Sequence, residues 1–142
     1  MKTSQCTDDI RDAVNAFNRG EIDGYLRHFG IQASRWVDGI DQAFSLSEVE
    51  ENLRQLMVAF EGLHLAEELL FGTDGYVCAH WRMTGRHNAE YLGIAPKGRE
   101  IDVRFCEVYE FDAGQVTTTW THGDPMELFR QIEDATSSGR PQ

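Results

Sequence analysis

The spacing of apolar residues changes once along this chain, and that change limits what it can fold into. Through the first sixty residues they recur every three or four positions, and from Leu63 onward they alternate. A 3.6-residue period belongs to helices packed on one side, and a period of two belongs to strands with one buried face. Helices followed by an uninterrupted run of strands describe an α+β architecture, with helices gathered against one face of an antiparallel sheet.

Local signals place the elements. Thr7, Asp8 and Asp9 precede Ile10, Ala13, Val14 and Phe17 at helical spacing, with Gly20 as a left-handed stop. Ile22, Tyr25, Leu26 and Phe29 repeat the pattern up to Gly30, predicting a second helix. Ser34 to Gly39, with Trp36 and Val37, predicts a short strand. Ser45 and Glu48 form a capping box with Phe44 and Val49 as its hydrophobic staple, opening a third helix that buries Val49, Leu53, Leu56, Met57 and Phe60. Turn signals at Asp74-Gly75, Pro96-Lys97-Gly98 and Asp112-Ala113-Gly114 divide the rest into an antiparallel meander. Asp124 as N-cap, Pro125 as first helical residue and Glu127 as capping partner predict a short last helix carrying Leu128, Phe129 and Ile132.

The length of 142 residues suits one domain over 1–142, with a flexible polar tail from Ser137. A net charge of -11 without any Lys/Arg cluster argues against nucleic-acid and anionic-membrane partners, both of which attract basic patches. Neither a signal peptide nor an apolar run of about 20 residues is present, so a cytoplasmic location is expected. Cys6, Cys78 and Cys106 are odd in number and form no CxxC pair, which reads as reduced thiols serving as small apolar residues.

Polar residues that fall on an apolar strand face are the informative exceptions, because an unpaired polar group buried there costs about 1–3 kcal/mol. His87 ends the face Val77, Ala79, Trp81, Met83, Gly85. Glu107 interrupts Ile101, Val103, Phe105, Tyr109, Phe111. In the last strand Trp120, His122 and Asp124 share a face, opposite Thr119 and Thr121. If the sheet curls, His87, Glu107, His122 and Asp124 line one cavity floored by Trp81, Met83, Phe105 and Trp120. Each has an ordinary reading as well: a satisfied core histidine, a glutamate paired with Arg82 or Arg104, an aspartate that only caps a helix. Dinucleotide, phosphate-loop, nucleophile-elbow and HExxH motifs are all missing, and a lone His122-x-Asp124 pair is a weak metal signal, so no metal is expected.

The runs from Trp81 to His87, from Tyr91 to Arg99 and from Glu107 to Val116, closed by Trp120, Asp124, Leu128 and Gln131, resemble the SnoaL-like polyketide cyclases. The resemblance implies the cone-shaped barrel of a curved antiparallel sheet shared with nuclear transport factor 2, usually as a homodimer. It implies intramolecular aldol ring closure of a small apolar or aromatic ketone-like ligand without metal or cofactor. By the same resemblance Asp124 is the general acid/base and His87 a second catalytic residue, while the shared strand faces make Trp81, Met83, Phe105, Glu107, Trp120 and His122 the expected substrate contacts. Alternatives on the same fold are a hydroxylase, an isomerase, a dehydratase or a non-catalytic small-molecule-binding protein. Arg86 and Lys97 depart from the family pattern at the expected rim, and the first strand lacks the histidine that several cyclases carry, which points away from an anthracycline precursor as substrate.

Overall fold

The computed structural model describes residues 2–133, so the tail expected from Ser137 lies outside the described residues. Helix α1 spans Thr3–Asn18 and is stopped by Gly20 at φ +81°. It begins a turn before the predicted Thr7 to Asp9 cap, because Cys6 extends the stripe of Ile10, Ala13 and Phe17, all about 1% exposed. Helix α2 covers only Ile22–Leu26. Phe29, which fits the helical phase, instead starts strand β1 (Phe29–Val37) by pairing with the fully buried Val116, a tertiary contact that overrides local preference.

After β2 (Phe44–Ser45) comes α3 (Leu46–Ala59), whose capping box is complete: Glu48 N–H donates to Ser45 Oγ at 3.2 Å and Ser45 N–H to Glu48 Oε1 at 2.9 Å. The meander follows as β3 (Phe60–Thr73), β4 (Tyr76–His87), β5 (Glu100–Asp112) and β6 (Gln115–His122), and α4 (Glu127–Ile132) ends the described chain. Asp124 lies outside α4, and its carboxylate accepts the Met126 N–H at 2.9 Å instead of capping the first helical turn.

The strands form one mixed sheet in the order β2-β1-β6-β5-β4-β3. Its meander is antiparallel as expected, but β1 and β6 run parallel, since the chain crosses over through α3 and the meander before returning beside β1. Edge strands β2 and β3 do not meet, so the curved sheet stays open. Register shifts between Glu61 and His64 and between Glu67 and Leu69 mark bulges in β3 that add bend. Helices α1, α2 and α3 cover the inner face, where Phe17, Leu53, Leu56, Val77, Ala79, Trp81 and Val116 form the core. Each such side chain contributes about 1.5–3 kcal/mol by leaving water.

Candidate functional site

Between the helices and the inner face lies a cavity of about 230 Å³, lined mainly by apolar side chains from both layers. Helices α1 to α3 supply Phe17, Tyr25, Asn52, Leu53 and Leu56. Strands β1, β3, β4, β5 and β6 supply Arg35, Val37, Leu65, Met83, Phe105, Glu107 and Thr121, and Tyr91 and Leu128 complete the wall. A larger open trough on the far side of α3 is flanked by Glu50, Glu51 and Arg54 and shares only Tyr91 with this cavity.

A chain of hydrogen bonds runs beneath the cavity. The indole Nε1 of Trp81 donates to Tyr109 Oη at 3.0 Å, and because an indole can only donate, the Tyr109 hydroxyl is free to donate its own hydrogen bond to Glu107 Oε1. The other carboxylate oxygen, Oε2, accepts from Thr121 Oγ1 at 2.8 Å. Burial and the neighbouring Glu107 hold the Tyr109 hydroxyl well above the usual phenol range, so it stays a neutral donor.

Across the cavity Arg35 Nη2 donates to Tyr25 Oη at 2.7 Å. Burial works against the guanidinium charge, but the fields of Tyr25, Glu107 and Tyr109 outweigh it and raise its pKa. Burial likewise raises the Tyr25 hydroxyl. Donors are left over: among the described residues, Arg35 Nε is buried with no partner, and Tyr25, which accepts from Arg35, has no acceptor for its own proton.

Asp124 stands at an adjoining hollow of about 140 Å³ that shares Val37, Phe105, Thr121 and Leu128 with the cavity. Arg130 Nη1 at 2.7 Å, together with the Met126 N–H, holds its carboxyl below the usual carboxylate range. Asp124 is therefore an ionised carboxylate at neutral pH, half exposed beside the adjoining hollow.

The residues singled out in the sequence divide between positions. Met83, Phe105 and Glu107 line the cavity, and Trp81 lies one layer beneath it. Trp120 and His122 do not face it. The antiparallel register sets Glu107 opposite Thr121, Val108 opposite Trp120 and Cys106 opposite His122, and directly opposed residues share a face. Thr119 and Thr121 therefore point inward, and Trp120 and His122 belong to the outer face, where Asp38 Oδ1 holds His122 Nδ1 at 2.9 Å.

His87 points inward but is sealed from the cavity. Its ring is fully buried and stacks on Phe60 with centroids 5.1 Å apart, and Phe60 in turn meets the cavity residue Tyr91. Neither ring nitrogen has a hydrogen-bond partner among the described residues, and burial lowers its pKa against a small opposing effect of the nearby Ala89 backbone. The imidazole is neutral and enclosed, and it is not among the cavity's lining residues.

Arg35 and Tyr25 are the residues that sequence reading passed over. The signal for Arg35 resembles that for Glu107, a single charge interrupting a face that is otherwise apolar at every second position, here Ala33, Arg35 and Val37.

A helical layer over a curved sheet, enclosing an apolar cavity with a few converging polar groups, defines a small-molecule-binding α+β class of protein. The SnoaL-like polyketide cyclase family model matches residues 8–132, and the chain belongs to that family. Solved structures agree on the fold. AclR, a candidate hydroxylase from Streptomyces galilaeus, is 19% identical with a TM-score of 0.83, over 91% of this chain and 96% of that one. A candidate SnoaL-like polyketide cyclase from Jannaschia sp. CCS1 is 18% identical with a TM-score of 0.80, over 92% of each chain. IdmH, a candidate polyketide cyclase from Streptomyces antibioticus, is 18% identical with a TM-score of 0.74, over 87% and 95%. Among curated proteins none matches.

Proposed function

We propose that the protein is a cofactor-independent acid–base enzyme that closes a ring in a small polyketide-like ketone. The observation that carries this reading is the Arg35–Tyr25 pair, which holds an unused N–H and an unused O–H donor in an apolar cavity, with the Asp124 carboxylate in the hollow that adjoins it.

In the proposed reaction Asp124 takes a proton from the carbon alpha to a substrate carbonyl. The electron pair moves onto the carbonyl oxygen, and the enolate is stabilised by the Arg35 and Tyr25 donors. The carbon then attacks a second carbonyl of the same molecule, and the new alkoxide recovers the proton from Asp124. A carboxylate held below its usual range is a weak base, so most of the acceleration has to come from stabilising the enolate in a site that excludes water. Glu107 has both oxygens committed to hydroxyl donors and serves to keep Arg35 charged and in place.

The test is turnover of an aromatic polyketide ester with an acidic methylene group. Asp124→Asn, which can still accept the Met126 N–H, is expected to fold normally and lose about 10²–10⁴-fold in kcat. Arg35→Leu is expected to lose about 10²–10³-fold. Unchanged kcat in both variants would sink the proposal. The likeness to AclR favours one second reading, a hydroxylase, which predicts that the product gains an oxygen atom when the enzyme is incubated in oxygen.

A further inference from the structure

The outer face of the sheet carries a cluster with no part in the cavity. Cys78 and His80 are two residues apart on β4 and so share a face, and Cys106 on β5 lies directly opposite His80. Wide spacing in sequence hides this group, and strand register assembles it. One ligand atom from each of the three residues lies within 4.8 Å of the others, and the two Sγ atoms are 3.7 Å apart.

That sulfur spacing discriminates between roles. A disulfide requires about 2.0 Å. Two thiolates on one tetrahedral zinc ion, each at about 2.3 Å from the metal, are separated by an edge of about 3.8 Å. The observed distance excludes the first and fits the second; a metal-free thiol–thiol hydrogen bond has the same length, and the His80 nitrogen beside both sulfurs is what makes the group a ligand set.

We infer that Cys78, His80 and Cys106 form a binding site for a borderline-soft divalent transition-metal ion, with zinc the first candidate. Two sulfur ligands and one imidazole exclude magnesium and calcium, which require oxygen donors. Binding replaces both thiol protons, which pass to solvent, while His80 contributes the lone pair of a neutral ring nitrogen. His80 is exposed, so three protein ligands leave the fourth tetrahedral position open to water. The neighbours Trp81 and Glu107 point through the opposite face of the sheet, so the ion would tie β4 to β5 from outside without entering the cavity.

The experiment is a Co²⁺ titration of the full-length protein, reduced and stripped with chelator, because cobalt bound to thiolate gives a charge-transfer band that cobalt on oxygen or nitrogen ligands does not. The band is expected to saturate at one equivalent and to be bleached by Zn²⁺. Zinc at about a hundredfold excess over its Kd is expected to raise the thermal midpoint by roughly 5–10 °C. Cys78→Ser, Cys106→Ser and His80→Ala are each expected to weaken binding at least tenfold. A wild-type protein with no thiolate band overturns the inference even if no variant folds, and so does a band that persists unchanged in both serine variants, which would place the metal elsewhere.

Discussion

The two faces of the sheet handle polarity in opposite ways. On the inner face the Trp81–Tyr109–Glu107–Thr121 chain pairs both carboxylate oxygens of a residue only 6% exposed, and Glu67, toward the β3 edge, is the inner charge left open to water. On the outer face charges sit in ion pairs open to water, such as Arg82–Asp102 and Arg104–Glu68, beside exposed Trp36, Leu69 and Phe71. The same strands build both faces by alternation. An inner polar group without a partner, as His87 and Thr119 are among the described residues, keeps a desolvation cost that nothing offsets, whereas an outer one loses little if its partner moves.

The sharpest way to break this contrast is to delete a single atom from the inner network. Tyr109→Phe keeps the ring but leaves the Trp81 N–H without an acceptor and Glu107 Oε1 without a donor. The expected cost is roughly 2–4 kcal/mol, read as a lower urea midpoint with unchanged slope. A loss below about 0.5 kcal/mol would show that the inner network is ornamental and that apolar packing alone holds this face.

His87 gives a smaller effect with a defined sign. Its folded pKa is lowered by burial, so the folded state favours the neutral ring and the unfolded chain binds the extra proton. The stability tied to this residue is fully present above the unfolded value of about 6.5, and it is lost as pH falls from there through the lowered folded value. The thermal midpoint of the wild type should therefore drop more steeply between pH 7 and pH 5 than that of His87→Phe, which keeps a ring against Phe60. Parallel pH curves would mean that the imidazole reaches solvent and is not sealed as described.

How far the sequence discloses this molecule follows from the same contrast. Alternation in β4 and β5 is legible because one set of positions is almost wholly apolar, so the pattern itself puts Met83, Phe105 and Glu107 on the inner face. In β6 the alternation sets threonines against tryptophan and histidine, and apolar size favours the wrong set. Only the pairing of Glu107 with Thr121 decides the face, and register is a tertiary fact. Capping chemistry at Ser45 is local and therefore readable, while the Phe29 switch from helix to strand depends on Val116, distant in sequence. Arg35 was within reach of the test applied to Glu107, since it too interrupts an apolar face. The Cys78–His80–Cys106 cluster has two members on β4 and one on β5, so no linear motif announces it.

The smallest effect belongs to the outer face. Arg82 reaches Asp102 through two short bonds, at 2.8 and 2.6 Å, with both side chains more than 40% exposed. Good geometry would seem to make this pair matter. Two facts oppose that: solvent screens the attraction, and Arg82 sits directly opposite Arg104 in the β4–β5 register, so its charge is also repelled from across the ladder. Arg82→Ala removes the attraction and the repulsion together, and the expected outcome is a urea midpoint indistinguishable from wild type at low and at high salt. A clear loss at low salt that disappears at high salt would show the outer ion pairs acting as a network, and would narrow the difference between the two faces to one of degree.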